Sequence, residues 1–169
     1  MACGVLSHVP SCKAMTSGQF DTVLAYYNLL NWTAQEPAPP GVSLWDNGQI
    51  IPLATSLGMG VIGIRSHAAG ALSPQVDRPI PPGTLLAHDA ARAQTLDFLL
   101  DGPIRTLSQA AMVFCLMHQD IATTVPGVKN VAEVEELAAC VGLPPIPPHH
   151  LTRLRTLYAR GFQGESTPR

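Results

Sequence analysis

The segment from Thr123 to Glu136 combines residue types that together could hold a phosphate group. An apolar run leads into a Pro-Gly turn, a lysine follows at Lys129, and Asn130 with Glu133 forms a capping box at a helix start. The first turn of a helix presents unpaired backbone N–H groups and the positive end of its dipole, and Lys129 adds a full charge there. The segment predicts a nucleotide phosphate site; taken alone, an ordinary strand-to-helix turn with a solvated lysine is the alternative.

The histidines and cysteines do not show the spacing of a metal site. The four cysteines are scattered without a C-x-x-C pair, which is typical of buried free thiols in a reducing compartment. His149 and His150 are adjacent, and neighbouring side chains on a helix are expected to diverge, so we predict solvated histidines and no metal. The first residues lack the basic segment and long apolar run of a signal peptide, which favours a cytoplasmic protein.

Composition excludes several classes of partner. Of the 169 residues, 13% are charged and 46% hydrophobic, and the net charge of -2 provides no basic field for nucleic acid or anionic lipid. The longest apolar run, 110–117, is far shorter than the roughly 20 residues of a membrane span. We therefore expect no nucleic acid and no membrane, and a core of parallel strands covered by helices on both faces.

The elements that would position the phosphate segment alternate along the chain. Strand patterns occur in 1–6, 20–28, 60–65 and 121–125, and helical patterns in 10–17, 50–58, 85–100, 107–117, 130–141 and 151–157. This alternation predicts an α/β fold with a parallel sheet and right-handed crossovers. Because no glycine fingerprint of the dinucleotide-binding type follows a strand, a β/α barrel is preferred to an open doubly wound sheet.

Two connecting details of this scheme can be checked. Thr84 is predicted to cap a helix over 85–100. The residues that share its core-facing side are Leu85, Leu86, Ala90, Ala93, Leu96 and Leu100. The segment 32–48 contains both tryptophans among Pro, Gly, Asn and Asp residues, and it predicts an ordered loop over a surface, at the mouth of a pocket.

Three blocks of the sequence carry the motifs of a known family. They are residues 18–30, residues 60–72 and, most specifically, residues 107–136 with Leu-Ser-x-Ala-Ala, an apolar run, a strand, Val-Pro-Gly-Val-Lys-Asn and an acidic helix start. They resemble the aldo/keto reductases over nearly the whole chain. A complete barrel of this kind takes about 250 residues, so the resemblance implies a partial (β/α)8 TIM-type barrel, roughly the last four β/α units. We expect one domain over 1–169, with 163–169 as a disordered tail.

The resemblance implies an activity that this chain does not complete. The family transfers a hydride between a nicotinamide cofactor, NADP or NAD, and a small-molecule carbonyl or sugar-like substrate. Its proton-donating tyrosine and the lysine, aspartate and histidine around it come from the N-terminal half, and none of the four has a matching position here. Tyr27 matches a structural Tyr-Asn pair. No catalytic residue is therefore assigned, and the chain alone is expected to be inactive.

The resemblance also implies nine cofactor-binding residues, in a loop after the third strand and in the turn and helix start after the fourth: Arg65, Ser66, Gly70, Leu72, Gly127, Val128, Lys129, Glu133 and Glu136. The loop that begins at Arg65 would cover the nicotinamide and the pyrophosphate, and 127–129 would lie beside the adenosine phosphate. Glu136 would read the adenine, and His67 would stand at the mouth of the pocket. Glu133 stands where the 2′-phosphate of NADP is bound, so we expect a weakened NADP preference, which Lys129 opposes.

Three interpretations remain open at this point. The first is a fragment of an NAD(P)-dependent aldo/keto reductase whose N-terminal half is missing, with unpaired sheet edges and poor solubility. The second is a non-catalytic half-barrel that pairs with itself as a homodimer or serves as a cofactor-binding interaction module. The third is another barrel enzyme, which the absence of a carboxylate pair or metal cluster disfavours.

Overall fold

Four parallel strands form one sheet in the order in which they occur along the chain. The computed structural model describes residues 2–4, 8–74, 76 and 78–163, and in them the strands are β1 (Ala2–Gly4), β2 (Thr22–Tyr26), β3 (Gly60–Ile64) and β4 (Thr123–Val125). The sheet order is β1-β2-β3-β4, with every pair parallel. Each crossover therefore moves one step in the same direction, as in a barrel, whereas a doubly wound sheet reverses direction. The predicted α/β class and four-unit parallel topology are confirmed.

Helices connect the strands much as the sequence predicts. Within the described residues they are α1 (His8–Met15), α2 (Ile50–Ser56), α3 (Leu85–Ala93), α4 (Leu107–Leu116), α5 (Val131–Ala139) and α6 (Pro148–Ala159). Short 3-10 turns occupy Ala68–Gly70, Asp97–Leu99 and Cys140–Gly142. The tail predicted for 163–169 falls largely on residues 164–169, which lie outside the described residues. None of the helices in the described part of the chain is long and apolar enough to cross a bilayer.

The helix predicted over 85–100 is shorter than expected. Thr84 caps it as predicted, since its Oγ1 accepts a hydrogen bond from the Ala87 N–H at 3.2 Å, but α3 ends at Ala93. Thr95 Oγ1 donates to the Arg92 carbonyl at 2.7 Å, a local bond that competes with helical pairing. The predicted core side is thereby broken, because Leu96 remains fully buried while Leu85 is 53% exposed.

The two faces of the sheet have different environments. Val23, Ala25 and Val61 point to the face covered by helices and are buried in the hydrophobic core. Tyr26 and Ile64 lie on the opposite face, which would be the interior of a closed barrel, and both are partly exposed. Tyr26, Ile64 and Val125 pair in register, so the carboxyl ends of three strands are level. Loops that follow these strands are thus brought to one edge of the sheet.

Trp32 is a core residue, whereas the sequence predicted that it lies in a loop over a surface. It is 4% exposed, its ring stacks on Tyr158 with centroids 4.2 Å apart, and its indole Nε1 donates to the Leu29 carbonyl at 3.1 Å. Trp45, in contrast, is 58% exposed. Tyr158 on the last helix and Phe114 on α4 pack against the first tryptophan, and these long-range contacts have no local signature.

Two of the cysteines are confirmed as buried free thiols. Cys115 and Cys140 are buried and unbonded to another cysteine, while Cys12 is half-buried. Burial raises the pKa of Cys115 to about 12, so its thiol stays protonated near neutral pH. Cys115 Sγ donates to the Tyr27 carbonyl at 3.4 Å, which is a structural role.

Candidate functional site

A cleft opens at the carboxyl ends of β3 and β4. Its walls are the loop after β3 and the turn after β4, with the following lining residues: Ile64, Arg65, Ser66, His67, Ala69, Gly70, Ser73, Arg78, Val125, Gly127, Val128, Lys129 and Glu133. Seven of the nine residues assigned to a cofactor from sequence line this cleft. Ligand sites of parallel α/β proteins lie at this end of the strands.

The loop after β3 has an unusual backbone conformation. Arg65, Ala68 and Ala69 have φ values of 59°, 47° and 58°, in the left-handed region that non-glycine residues rarely adopt. The Asn28 side chain donates from Nδ2 to the Arg65 carbonyl at 2.9 Å, and the Arg78 guanidinium donates to the Ala69 carbonyl. Surrounding hydrogen bonds therefore hold the loop in a strained shape beside the cleft.

The cleft contains a buried polar atom that lacks a partner. Ser66 is 1% exposed, and its Oγ has no hydrogen-bond partner among the residues the structure describes. A buried hydroxyl without a partner costs about 1–3 kcal/mol. A Cβ added at Gly70 or at Gly127 would meet no atom within 4 Å, so there is open space beside both backbones. The site thus fits a polar ligand that approaches the backbone closely, such as a ribose phosphate.

The start of α5 is capped as the sequence predicts. Asn130 Oδ1 accepts a hydrogen bond from the Glu133 N–H at 2.9 Å, and Glu133 Oε2 accepts one from the Lys129 N–H at 2.8 Å. The carboxylate also accepts from Asn130 Nδ2 at 3.1 Å. Glu133 therefore occupies part of the anion-binding capacity of the helix start, and its negative charge opposes the positive charge of Lys129 in the same cleft.

A second hollow continues the cleft between α4 and α5. It shares His67 and Glu133 with the cleft and adds Ser108 and Glu136. Ser108 Oγ lies 3.2 Å from His67 Nε2, and burial lowers the pKa of His67, which favours the neutral ring. The pairing of Ser108 with His67 was missed from sequence, although Ser108 belongs to the Leu-Ser-x-Ala-Ala motif.

Two of the nine assigned residues have other environments. Glu136 lines the second hollow, but its carboxylate accepts a hydrogen bond from Thr106 Oγ1, the group that also caps α4. Leu72 is 0% exposed and lines neither the cleft nor the hollow. The side chain of Leu72 therefore packs in the core after the 3-10 turn at Ala68–Gly70, and its predicted place along the cofactor loop stays a prediction.

An apolar pocket adjoins the cleft on the open face of the sheet. It shares Ile64, Arg65 and Ala69 with the cleft, and its further lining residues are Tyr26, Trp45, Asn47, Thr84, Leu85, Leu86 and Asp89. Asp89 is 6% exposed, with Arg92 Nη1 at 3.2 Å from its Oδ1, and burial raises its pKa. Trp45 at this pocket agrees with the prediction that the segment 32–48 lies at the mouth of a pocket. The role of Asp89 was missed, because the sequence does not show that it lines a pocket.

The Tyr-Asn pair that follows β2 is structural. The Tyr27 ring is buried and stacks on Phe114 with centroids 5.2 Å apart, and burial raises its pKa. Asn28 Oδ1 accepts from the Leu30 N–H at 2.9 Å and from the Asn31 N–H at 3.1 Å. Tyr27 is thus held in the core and does not face the cleft or the adjoining pocket.

Comparison with known proteins identifies the fold. No protein-family model and no curated sequence matches the chain. Among solved structures, the holo form of aldo-keto reductase AKR11C1 from Bacillus halodurans is similar with a TM-score of 0.65 and 20% identity, over 91% of this chain and 48% of that one. Glycerol dehydrogenase AKR11B4 from Gluconobacter oxydans is similar with a TM-score of 0.61 and 13% identity, over 88% and 45%. The chain has the fold of about half an aldo-keto reductase barrel.

Proposed function

We propose, with this half-barrel fold as the premise, that the chain supplies the cofactor-binding half of an NAD(P)-dependent oxidoreductase of the aldo-keto reductase kind. The observation that carries the proposal is the cleft at the ends of β3 and β4, which combines the unpaired Ser66 hydroxyl, open space beside two glycines and the side chain of Lys129. A reducing, cytoplasmic location would suit the buried free thiols.

Each wall of the cleft has a role in this proposal. Lys129 would bind a phosphate by charge, and Ser66 Oγ would donate to a phosphate or ribose oxygen. Arg65 separates the cleft from the apolar pocket, so its planar guanidinium could lie against the nicotinamide ring. The bound nicotinamide would supply or accept the hydride. A small carbonyl or sugar-like substrate would then occupy the apolar pocket beside Trp45, with Asp89 available to a substrate hydroxyl.

Turnover would require a proton donor, and the tyrosines that the structure describes do not provide one in a suitable place. A general acid must reach the substrate oxygen and also its own activating partner. Tyr27 and Tyr158 are buried in the core, and Tyr26, which does line the pocket, has a pKa raised by burial and by the charge of Asp89. We therefore propose that the chain binds the cofactor, and that reduction needs the complementary half of the barrel.

The proposal is tested by cofactor binding to the full chain. NADH and NADPH are titrated while the fluorescence of the reduced nicotinamide is followed, for the wild type, Lys129→Met and Lys13→Met. Removing a charge that contacts a phosphate should weaken binding about tenfold, which is ~1.4 kcal/mol. Lys13 is exposed and lies outside the cleft, so Lys13→Met is the matched control. Equal affinities of the two variants, or no binding by the wild type at about 1 mM, would contradict the proposal.

A second candidate function, a half-barrel that pairs with another copy, is favoured by the surface of α5. No residue of α5 is buried, and Val131 and Val134 are 72% and 49% exposed. In the described part of the sheet, β4 pairs with β3 on one side alone. In a barrel a crossover helix packs against its own strand and the next one, so α5 presents the face that a further unit would cover. The two candidate functions do not exclude each other. Light scattering tests self-association, and the fluorescence titration tests cofactor binding.

A further inference from the structure

Three side chains with metal-binding atoms meet at the start of α6. Asp101, His149 and His150 each offer one ligand atom, and these atoms all lie within 4.8 Å of one another. The His150 Nε2 to Asp101 Oδ2 distance is 3.1 Å, and the centroids of the two imidazole rings are 4.0 Å apart. The sequence predicted that the two adjacent histidine side chains diverge. This prediction is wrong, because their rings lie next to each other.

The local structure explains why both rings reach the same point. Pro147 precedes α6 in an extended conformation, and α6 begins at Pro148. His149 and His150 therefore lie in the first turn of the helix. The Phe98 ring packs against His150 at 5.6 Å, and the side chain of His150 is 13% exposed. The position of one imidazole is thus fixed by packing, while His149 is exposed and can adjust.

We propose that Asp101, His149 and His150 form a binding site for a divalent transition-metal ion of the zinc type. In a tetrahedral zinc site with bonds of about 2.0–2.1 Å, neighbouring ligand atoms are about 3.3 Å apart. Asp101 and His150 are already close to this separation, at 3.1 Å, and a side-chain rotation of the exposed His149 would bring its ligand atom to the same distance from both. Two imidazoles and one carboxylate favour zinc, copper or nickel over magnesium or calcium, and three protein ligands leave one position for water.

The charges around the cluster limit its affinity. Arg153 lies on α6 one turn after His149, with its guanidinium 4.3 Å from the centre of the Phe98 ring. This cation and the positive end of the helix dipole oppose a metal ion, whereas the Asp101 carboxylate offsets one charge. We therefore expect a dissociation constant of about 10 µM, weaker than that of a four-ligand structural site.

A metal at this point would join two parts of the chain that are distant in sequence. Asp101 follows the 3-10 turn at Asp97–Leu99, and the histidines begin α6. None of the three residues lines the cleft or the apolar pocket. The site would therefore stabilise the attachment of the last helix and would not take part in the proposed cofactor chemistry.

The experiment is a calorimetric titration of the full chain with Zn²⁺. One ion should bind the wild type, and His149→Gln/His150→Gln and Asp101→Asn should each weaken binding at least tenfold. His88→Gln, which changes an exposed histidine elsewhere, should leave it unchanged. At about 100 times the dissociation constant, Zn²⁺ should also raise the melting temperature by about 5–10 °C in the wild type and not in the double variant.

A Cu²⁺ probe gives a second readout that does not depend on stability. The electron paramagnetic resonance spectrum of one bound Cu²⁺ should show coupling to two imidazole nitrogens, and the double variant should lose it. Equal Zn²⁺ affinity of the wild type and the double variant, or copper coupling that survives in the double variant, would overturn the proposal, whatever the outcome of the NADH titration.

Discussion

Glu133 has two roles at the residue scale that can be separated. It completes the capping box of α5, and its charge faces the cleft that Lys129 also lines. Glutamine at the same position keeps the cap, because its side-chain oxygen accepts the same bond, but it removes the charge. We therefore expect Glu133→Gln to tighten NADPH binding about 3- to 10-fold, roughly 1 kcal/mol, and to leave NADH within about twofold.

The same fluorescence titration checks this prediction. Glu135→Gln is the matched control, since Glu135 is exposed on the same helix and does not line the cleft. If NADPH binds the two variants equally, the charge of Glu133 does not govern the choice between the two cofactors.

At the residue scale, sequence reasoning succeeded where a residue's role is local. The capping box at Asn130 and the cluster around Lys129 depend on spacing within one turn, and spacing is visible in the sequence. The burial of the Leu72 side chain could not be predicted, because its direction depends on the preceding strained turn. Likewise, the bond of Glu136 to Thr106 joins residues 30 positions apart, and no local pattern indicates it.

At the element scale, the Thr106 hydroxyl connects two helices. It accepts a hydrogen bond from the Gln109 N–H at 3.1 Å, which caps α4, and it donates to the Glu136 carboxylate on α5. Thr106→Ala should therefore lower the free energy of unfolding by about 2 kcal/mol, from a lost cap and a lost bond to a charged group. Urea unfolding followed by far-UV circular dichroism measures this change.

Thr84→Ala provides the comparison, because Thr84 caps α3 and its hydroxyl donates only to the Pro81 carbonyl, within the same loop. Thr84→Ala should lower the free energy of unfolding by about 1 kcal/mol. Thr106→Ser keeps the hydroxyl and should therefore retain most of the stability that Thr106→Ala loses. Equal costs for the two alanine variants would mean that the bond to Glu136 contributes nothing to stability.

The existence of the elements was predictable, and their ends less so. Capping residues, proline and glycine boundaries and apolar spacing together predicted α1 to α6, but the apolar spacing extended α3 through Leu100, where the chain instead turns after Ala93. The apolar spacing continues across this break because Leu96, just before the 3-10 turn at Asp97–Leu99, is also buried. Periodicity reports which side chains are buried and does not distinguish a continuous helix from two short ones.

At the scale of the whole molecule, the exposed valines of α5 predict association. Because Val131 and Val134 are on the surface, changing both to glutamate should preserve the fold while making the apolar face charged. We expect the wild type to show a concentration-dependent mass in light scattering after size-exclusion chromatography, and the double variant to dissociate at least tenfold more readily.

Leu57→Glu is the control, since Leu57 is 44% exposed at the end of α2, away from α5. A double variant whose mass distribution matches that of the control would show that the α5 face does not mediate association.

The strictly sequential order of the strands has a consequence for how a barrel of this kind is assembled from its units. Each strand pairs with its predecessor and successor in the chain, so the sheet grows by adding one unit at a time, like a repeat array. Each strand pairing closes only the crossover between two consecutive strands, and the entropic cost of closing a loop grows slowly with its length. None of the three strand pairings described here needs a strand from elsewhere in order to form. A barrel of this design can therefore be divided between units during evolution, or completed by duplication, without a redesign of its core.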